Sequence, residues 1–313
     1  MRLLINIGHT LKKAGTEFIQ DNGMKLSASL SYYTIFSLGP ILIVIISLAG
    51  VFWGKEAVQG KIYGQINGLV GNAAALQIQE IIQNIEKSQL GTSGAIIGLS
   101  VLLVGATGVF TEMQDSINYI WSIRAKPKRG FVRLITNRLI SFSLLIGLGF
   151  LLMVSLIVNA VLDLLHDKLE NYFNDLSVYL FQGLNYLTIL AVITCLFAII
   201  FKVLPDANIH WKDSFIGAGF TSILFLIGKS LISLYVSYSN IGVTYGAAAS
   251  IIILLLWVYY TSIILFFGAE FTKVYTVNYG SGIKPDKTAV FIVKRETKEL
   301  PEDQRIFTPL SHS

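Results

Sequence analysis

From Tyr245 to Ala269 the chain runs for 25 residues without a charged side chain. At about 1.5 Å of rise per helical residue, that length exceeds the roughly 30 Å hydrocarbon core of a bilayer, so the stretch predicts a transmembrane helix. Small residues from Gly246 to Ser250 open it, Trp257, Tyr259 and Tyr260 lie near its middle, and Gly268-Ala269-Glu270 closes it before a basic tail. At about 100° per residue, Tyr259, Ser262 and Glu270 share about one quarter of the helix circumference. Such a face must look at protein or at water.

The rest of the chain agrees with a membrane setting. Of 313 residues, 53% are hydrophobic and only 14% charged, with a mean hydropathy of +0.64, which is more apolar than a soluble domain requires. The net charge of +5 does not point to nucleic acid, because the basic residues gather at the ends of apolar runs, where the positive-inside rule places them. Membrane lipids are the expected partners. The single cysteine, Cys195, can form neither an intrachain disulfide nor a paired-cysteine metal site.

Apolar runs predict an all-α polytopic membrane protein with six spans, at about 28–52, 92–111, 139–162, 178–204, 214–238 and 245–270. Residues 1–27 precede them as an amphipathic helix, with Leu4, Ile7, Leu11 and Phe18 at helical spacing among Arg2, Lys12, Lys13 and Lys25. That pattern suits a helix on the membrane surface or one docked on the bundle. Between the first two spans, Ile62, Ile66 and Leu69, then Ile78, Ile81, Ile82 and Ile85, predict one or two amphipathic helices along the outer face. The loop after the second span carries Arg124, Lys126, Lys128, Arg129, Arg133 and Arg138 and is assigned to the cytoplasm. Asp163, Asp167, Glu170 and Asp175 mark the next loop as external. The short DANIHWKD turn and the basic tail at 274–313 return to the cytoplasm, so both termini are expected inside. From Gly280 onward, prolines among mixed charges predict a mobile tail. Three spans per half would permit an inverted repeat, for which Tyr32-Tyr33-Thr34 and Tyr259-Tyr260-Thr261 are weak echoes.

Several polar groups stand out within the spans. In the first, Tyr33, Ser37 and Pro40 share a face, and Pro40 frees a backbone carbonyl in mid-membrane, either as a packing kink or as a break lining a cavity. In the second, Gly94, Gly98, Gly105 and Gly108 form a face suited to close helix packing or, alternatively, a slot ending at Glu112 and Asp115. In the fifth, Lys229 shares a stripe with Ser222 and Ser233. An intramembrane lysine costs at least about 2.5 kcal/mol unless water or a partner receives it. Its stem either snorkels to the interface or holds its ammonium in a hydrated cavity, where it would bind an anionic headgroup. Lys229, Ser222, Ser233, Tyr33, Ser37, Pro40, Tyr259 and Ser262 are therefore the candidate substrate path. Glu112, Asp115 and Glu270 are the candidate cytoplasmic gate; Glu270 has the alternative of an i,i+3 pair with Lys273.

The chemistry of enzymes is poorly represented. His9, His166, His210 and His312 lack metal-ligand spacing. Gly228-Lys229-Ser230 ends like a phosphate-binding loop, but Ile223 stands where its first glycine belongs. No GxSxG motif occurs. The expectation is a protein that is not an enzyme and holds no metal or cofactor.

The blocks KLSASLSYYTIFSLGPILIVIISLAG, INYIW, VLPDANIHWKDSFIGAGF and YGAAASIIILLLWVYYTSIILFFGAEF, in that order between about Leu26 and Lys273, resemble the YihY/BrkB family of bacterial inner-membrane proteins. Matching positions are Tyr32, Tyr33, Pro40, Asn118, Trp121, Pro205, Trp211, Gly217, Trp257, Tyr260, Gly268 and Glu270; Gly39 departs from the bulky residue usual there. The resemblance implies six spans in the inner membrane and, loosely, roles in envelope integrity, serum resistance and lipid or lipopolysaccharide export. Many members carry an old ribonuclease BN label widely regarded as a misassignment, and the family has no agreed catalytic residues to transfer. The leading expectation is a permease or flippase-like transporter of an anionic or amphiphilic envelope molecule. The alternatives are a non-transporting scaffold for envelope proteins and, with little support, a ribonuclease.

Overall fold

The computed structural model describes residues 2–37, 75–76, 78–80, 108–126, 175–239 and 249–294. Helix α1 is Arg2–Gln20, α2 covers residues 23–37 and α3 residues 108–120. Strand β1 is Ile123–Ala125. Then come α4, Asp175–Val203, β2, Ala207–Asn208, α5, Trp211–Tyr238, and α6, Ala249–Asn278. Strands β3, Lys284–Pro285, and β4, Ala289–Phe291, close the described chain.

Among the described residues, three helices are long and apolar enough to cross a membrane, over Tyr186–Val203, Trp211–Val236 and Ile251–Asn278. They coincide with the fourth, fifth and sixth expected spans. The second half of the first span, with Pro40, nearly all of the second and the whole of the third lie outside the described residues. Helix α5 stands between α4 and α6 and packs on both. Away from these contacts Ile223, Ile227, Leu231 and Leu234 are each more than half exposed, a stripe suited to lipid.

The densest core lies at one end of the bundle, here called the basal end, where α3 and α4 finish and α5 begins. Ile117, Ile120, Phe201, Phe266 and Ala269 are wholly enclosed there. Helix α1 is docked on the bundle: Ala14 packs with Phe271 and Val274, and the Phe18 ring meets Phe267 edge-on at 5.8 Å. It stops at Asn22, whose φ of 55° is left-handed, a conformation asparagine tolerates better than most residues. Gly23 then lies directly on the Phe18 ring, where a Cβ would collide. Helix α2 thus starts at once, its first residue close against the end of α1.

Two short antiparallel ladders clasp the basal end, a departure from a purely helical expectation. Strand β1 pairs with β4, Ile123 opposite Phe291 and Ala125 opposite Ala289. Strand β2 pairs with β3, Asn208 opposite Lys284. The segment expected to be mobile from Gly280 is therefore tied down through Lys294. Gly282, with a φ of 77°, makes the turn out of α6, and its N–H donates to Thr276 O at 3.1 Å. Sequence composition reads such a stretch as tail because its order comes from strands supplied by distant loops. Helix α6 likewise runs two turns beyond Glu270. Between the first two expected spans, residues 75–76 and 78–80 are helical with Ala75 and Ile78 buried.

Candidate functional site

The basal end brings together five charged side chains from three segments. Helix α1 is amphipathic, and its last turn directs Glu17 and Asp21 toward α6. Lys273 Nζ lies 2.7 Å from Glu17 Oε2, 3.6 Å from Asp21 Oδ2 and 3.2 Å from Glu270 Oε2. The i,i+3 pairing of Glu270 with Lys273 is thus present, but as one edge of a larger cluster. Lys294, carried in by β4, donates to Asp21 Oδ2 and sits 4.4 Å from the centre of the Tyr119 ring. Burial draws the Lys294 ammonium below its usual pKa, against the opposing pull of Asp21.

Glu270 is fully enclosed. Its Oε2 accepts from Lys273, whereas Oε1 has no donor, and the Asp21 carboxyl lies within reach of a shared proton. With one proton shared between Glu270 and Asp21, the three acids carry two negative charges against the two ammoniums of Lys273 and Lys294; Lys13 stands 3.8 Å from Glu17 at the rim. Buried charges on this scale persist only when paired, and removing one partner of a buried pair costs about 3–5 kcal/mol. The cluster therefore locks α1 and the segment after β4 onto α6. An acid with one undonated oxygen is also the group most easily rearranged.

Beside the cluster, α5 and α6 meet through two copies of one pattern. Gly217-Ala218-Gly219-Phe220-Thr221 on α5 and Gly268-Ala269-Glu270-Phe271-Thr272 on α6 pack antiparallel. Gly217 lies on Thr272 and Gly268 on Thr221, so closely that a Cβ at either glycine would collide with the opposing threonine. Each threonine donates back to the glycine carbonyl of its own helix, Thr221 to Gly217 at 2.7 Å and Thr272 to Gly268 at 2.6 Å. The hydroxyls of these two threonines are thus satisfied within their own helices. Phe220 and Phe271 stack at 3.8 Å. Glu270 occupies the position that Gly219 fills in the other copy.

The turn between α4 and α5 is fastened to α3. Asn118 Nδ2 donates to Asp206 Oδ2 at 2.9 Å, and Asp206 N donates to Asn118 Oδ1 at 2.8 Å. Gln114 adds a bond to the other carboxylate oxygen at 3.2 Å. Trp121 Nε1 reaches the Ala269 carbonyl at 3.0 Å, which ties the end of α3 to the glycine-threonine seam. Asp213, at the start of α5, is buried and accepts from both the N–H and the hydroxyl of Ser281.

A family model described as virulence factor BrkB matches residues 14–291. The chain belongs to the BrkB family. Among its relatives are UPF0761 membrane proteins of Alteromonas mediterranea, 28% identical over 81% of this chain and 83% of the relative, and of Pseudoalteromonas atlantica, 26% identical over 87% of each. A UPF0761 membrane protein of Pseudomonas paraeruginosa is 28% identical over 80% of this chain. This chain spans 59% of that protein's length. No solved structure matches. In this BrkB-family chain three of the four blocks that carry the resemblance meet at the basal end, through Asn118 and Trp121, Gly217, and Gly268 with Glu270.

The expected site residues divide into two groups. Ser37 donates to Tyr33 O, Ser222 to Ala218 O and Ser262 to Val258 O, so these hydroxyls are buried and serve their own helices. Tyr33 and the start of α3 touch, a Cβ on Gly108 standing 3.3 Å from the Tyr33 ring. Tyr259 reaches Met24 Sδ at 3.5 Å. Lys229 and Ser233 are half-buried. Of the gate residues, Glu270 is engaged with α1, while Glu112 is half-buried and Asp115 exposed on α3. Glu17, Asp21, Asp206 and Lys294 were not singled out from the sequence. Their cross-element side-chain partners are 88 to 273 residues away along the chain, and no local spacing reveals them. The repeated pentapeptide was the one signal available for the seam. Among the described residues no group of three or more His, Cys, Asp or Glu is placed to hold a metal ion.

Proposed function

We propose that this protein is a bacterial inner-membrane permease or flippase-like transporter of an anionic or amphiphilic envelope molecule. The observation carrying this reading is Lys229. It lies part-way along an otherwise apolar span, half-covered by protein, on the stripe that holds Ser222 and Ser233. A lysine in such a place is retained at a cost of a few kcal/mol, and its ammonium is the charge on α5 that an anionic headgroup passing along the helix would meet. Tyr33, Ser37, Pro40, Tyr259 and Ser262 would border the route on the facing helices. Glu270 with Lys273, and Glu112 with Asp115, would act at its basal end, where the ion cluster holds α1 closed over α6. Transport then requires those pairs to exchange partners.

The test is reconstitution of the purified protein into liposomes containing fluorescent phosphatidylglycerol, with leaflet exchange read by quenching of the outer label. Lys229→Met is expected to abolish exchange at unchanged expression and melting temperature. Full exchange by that variant would refute the assigned role of Lys229. No exchange by the unaltered protein, together with a cellular phenotype lost on deleting residues 60–86, would favour the scaffold.

A further inference from the structure

At the mouth of the basal end, where α4 leaves the apolar zone and α5 enters it, a cavity of about 310 Å³ opens between the two ladder segments. Its walls include Lys202, His210, Trp211, Ser281, Gly282 and Lys284, and no carboxylate. Lys202 donates to Asn208 Oδ1 at 2.8 Å and to the Ile209 carbonyl, both neutral acceptors, so its charge is positioned but not cancelled by them. An ammonium has three donors; one is left for a ligand. Lys284 is exposed on the strand opposite Asn208. Of the carboxylates on the flanking segments, Asp213 is buried and turned to Ser281, Asp206 is held by Asn118 and Gln114, and Asp286, exposed two residues after Lys284, is not among the lining residues. Gly282 leaves open space where a side chain would otherwise stand.

The chemistry just outside the cavity differs. Trp211 and Phe215 form a tilted pair 5.9 Å apart, and with Ile216 each is more than two-fifths exposed. An indole with one wet and one apolar side is characteristic of the membrane interface. The cationic cavity and the exposed apolar strip are contiguous at Trp211, which belongs to both.

We infer that this cavity binds the phosphate of an anionic phospholipid, with Lys202 and Lys284 on the phosphate and an acyl chain along Trp211, Phe215 and Ile216. A free phosphate would use the same lysines but has no use for the apolar strip, which is why the lipid is favoured. The site lies about 18 residues, or roughly 27 Å along α5, from Lys229. It is independent of transport: a scaffold in the same membrane would hold the lipid equally.

The full chain in detergent is titrated with dioctanoyl phosphatidylglycerol, with dioctanoyl phosphatidylcholine and with inorganic phosphate, and binding is read by native mass spectrometry. Phosphatidylglycerol is expected to bind at least about tenfold more tightly than phosphatidylcholine, and Lys284→Glu to remove most of that preference, since each lysine near a membrane surface is worth about 1 kcal/mol toward anionic lipid. Trp211→Ala is expected to weaken both lipids while leaving their ratio unchanged. Because Lys202 also braces the turn, Lys202→Met is read only where its melting temperature matches the unaltered chain. Equal affinity for the two lipids, an unchanged preference in Lys284→Glu, or inorganic phosphate binding as tightly as the lipid would overturn the inference.

Discussion

Lys273 concentrates more electrostatic work than any other described residue, because one ammonium faces Glu17, Asp21 and Glu270. Replacing it with methionine keeps the stem and removes the charge, leaving an enclosed acid without a donor. Lys273→Met is therefore expected to cost about 3–5 kcal/mol, read as a lower melting temperature in detergent. Glu270→Gln in the same background should recover part of the loss, since the two residues share one interaction and their effects cannot add. Trp121 makes a separate case. Its indole is enclosed and its N–H is spent on the Ala269 carbonyl. Trp121→Phe should lower stability by about 1–3 kcal/mol through the carbonyl left without its donor. The existence of an i,i+3 pair at Glu270 was legible from spacing alone. That Glu17 and Asp21 complete it was not, because α1 reaches α6 only after some 250 residues of intervening chain.

Between elements, the glycine-threonine seam makes the sharpest demand. A Cβ on Gly217 would enter Thr272, whereas one on Gly219, two residues on, meets open space. Gly217→Ala should thus force α5 and α6 apart and cost about 1–3 kcal/mol. Gly219→Ala, which only removes backbone freedom, should be neutral or stabilise by up to about 1 kcal/mol. Guanidinium or thermal unfolding of the two variants side by side checks the difference, and equal effects would mean the seam is not where the helices touch. The seam also fixes an antiparallel register. With Cys195 replaced, a Gly217→Cys/Thr272→Cys pair should crosslink, while Gly217→Cys with Leu254→Cys should not. That glycines mark close helix approach is a reading available from sequence, and Gly108 against Tyr33 follows it. Which glycine meets which threonine depends on how far one helix slides along the other.

For the molecule as a whole, the stretch from Gly280 to Lys294 decides how the basal end is held. It supplies β3 and β4, the Ser281 donors to Asp213, and the Lys294 partner of Asp21. A chain ending at Tyr279 should lose the Lys294 tie on α1 and both ladders together, leaving α1 held by Lys273 and the Asp206 turn held by α3 alone, with a melting temperature several degrees lower. A chain ending at Arg295 keeps every one of those contacts and should melt near the unaltered value. Protease sensitivity of the α1–α2 junction would report the same loss independently. The membrane character of α4, α5 and α6 and the limits of α4 and α5 could be read from the chain to within a few residues, because hydropathy over about 20 residues is a local property set by bilayer thickness; the end of α6, two turns past Glu270, could not. Family membership could be read too, from the order of four blocks. What tertiary structure alone decided is the clasp, the docking of α1 and the five-membered charge cluster. Each depends on groups far apart along the chain whose burial is tolerable only in each other's company, and linear periodicity carries no record of such company.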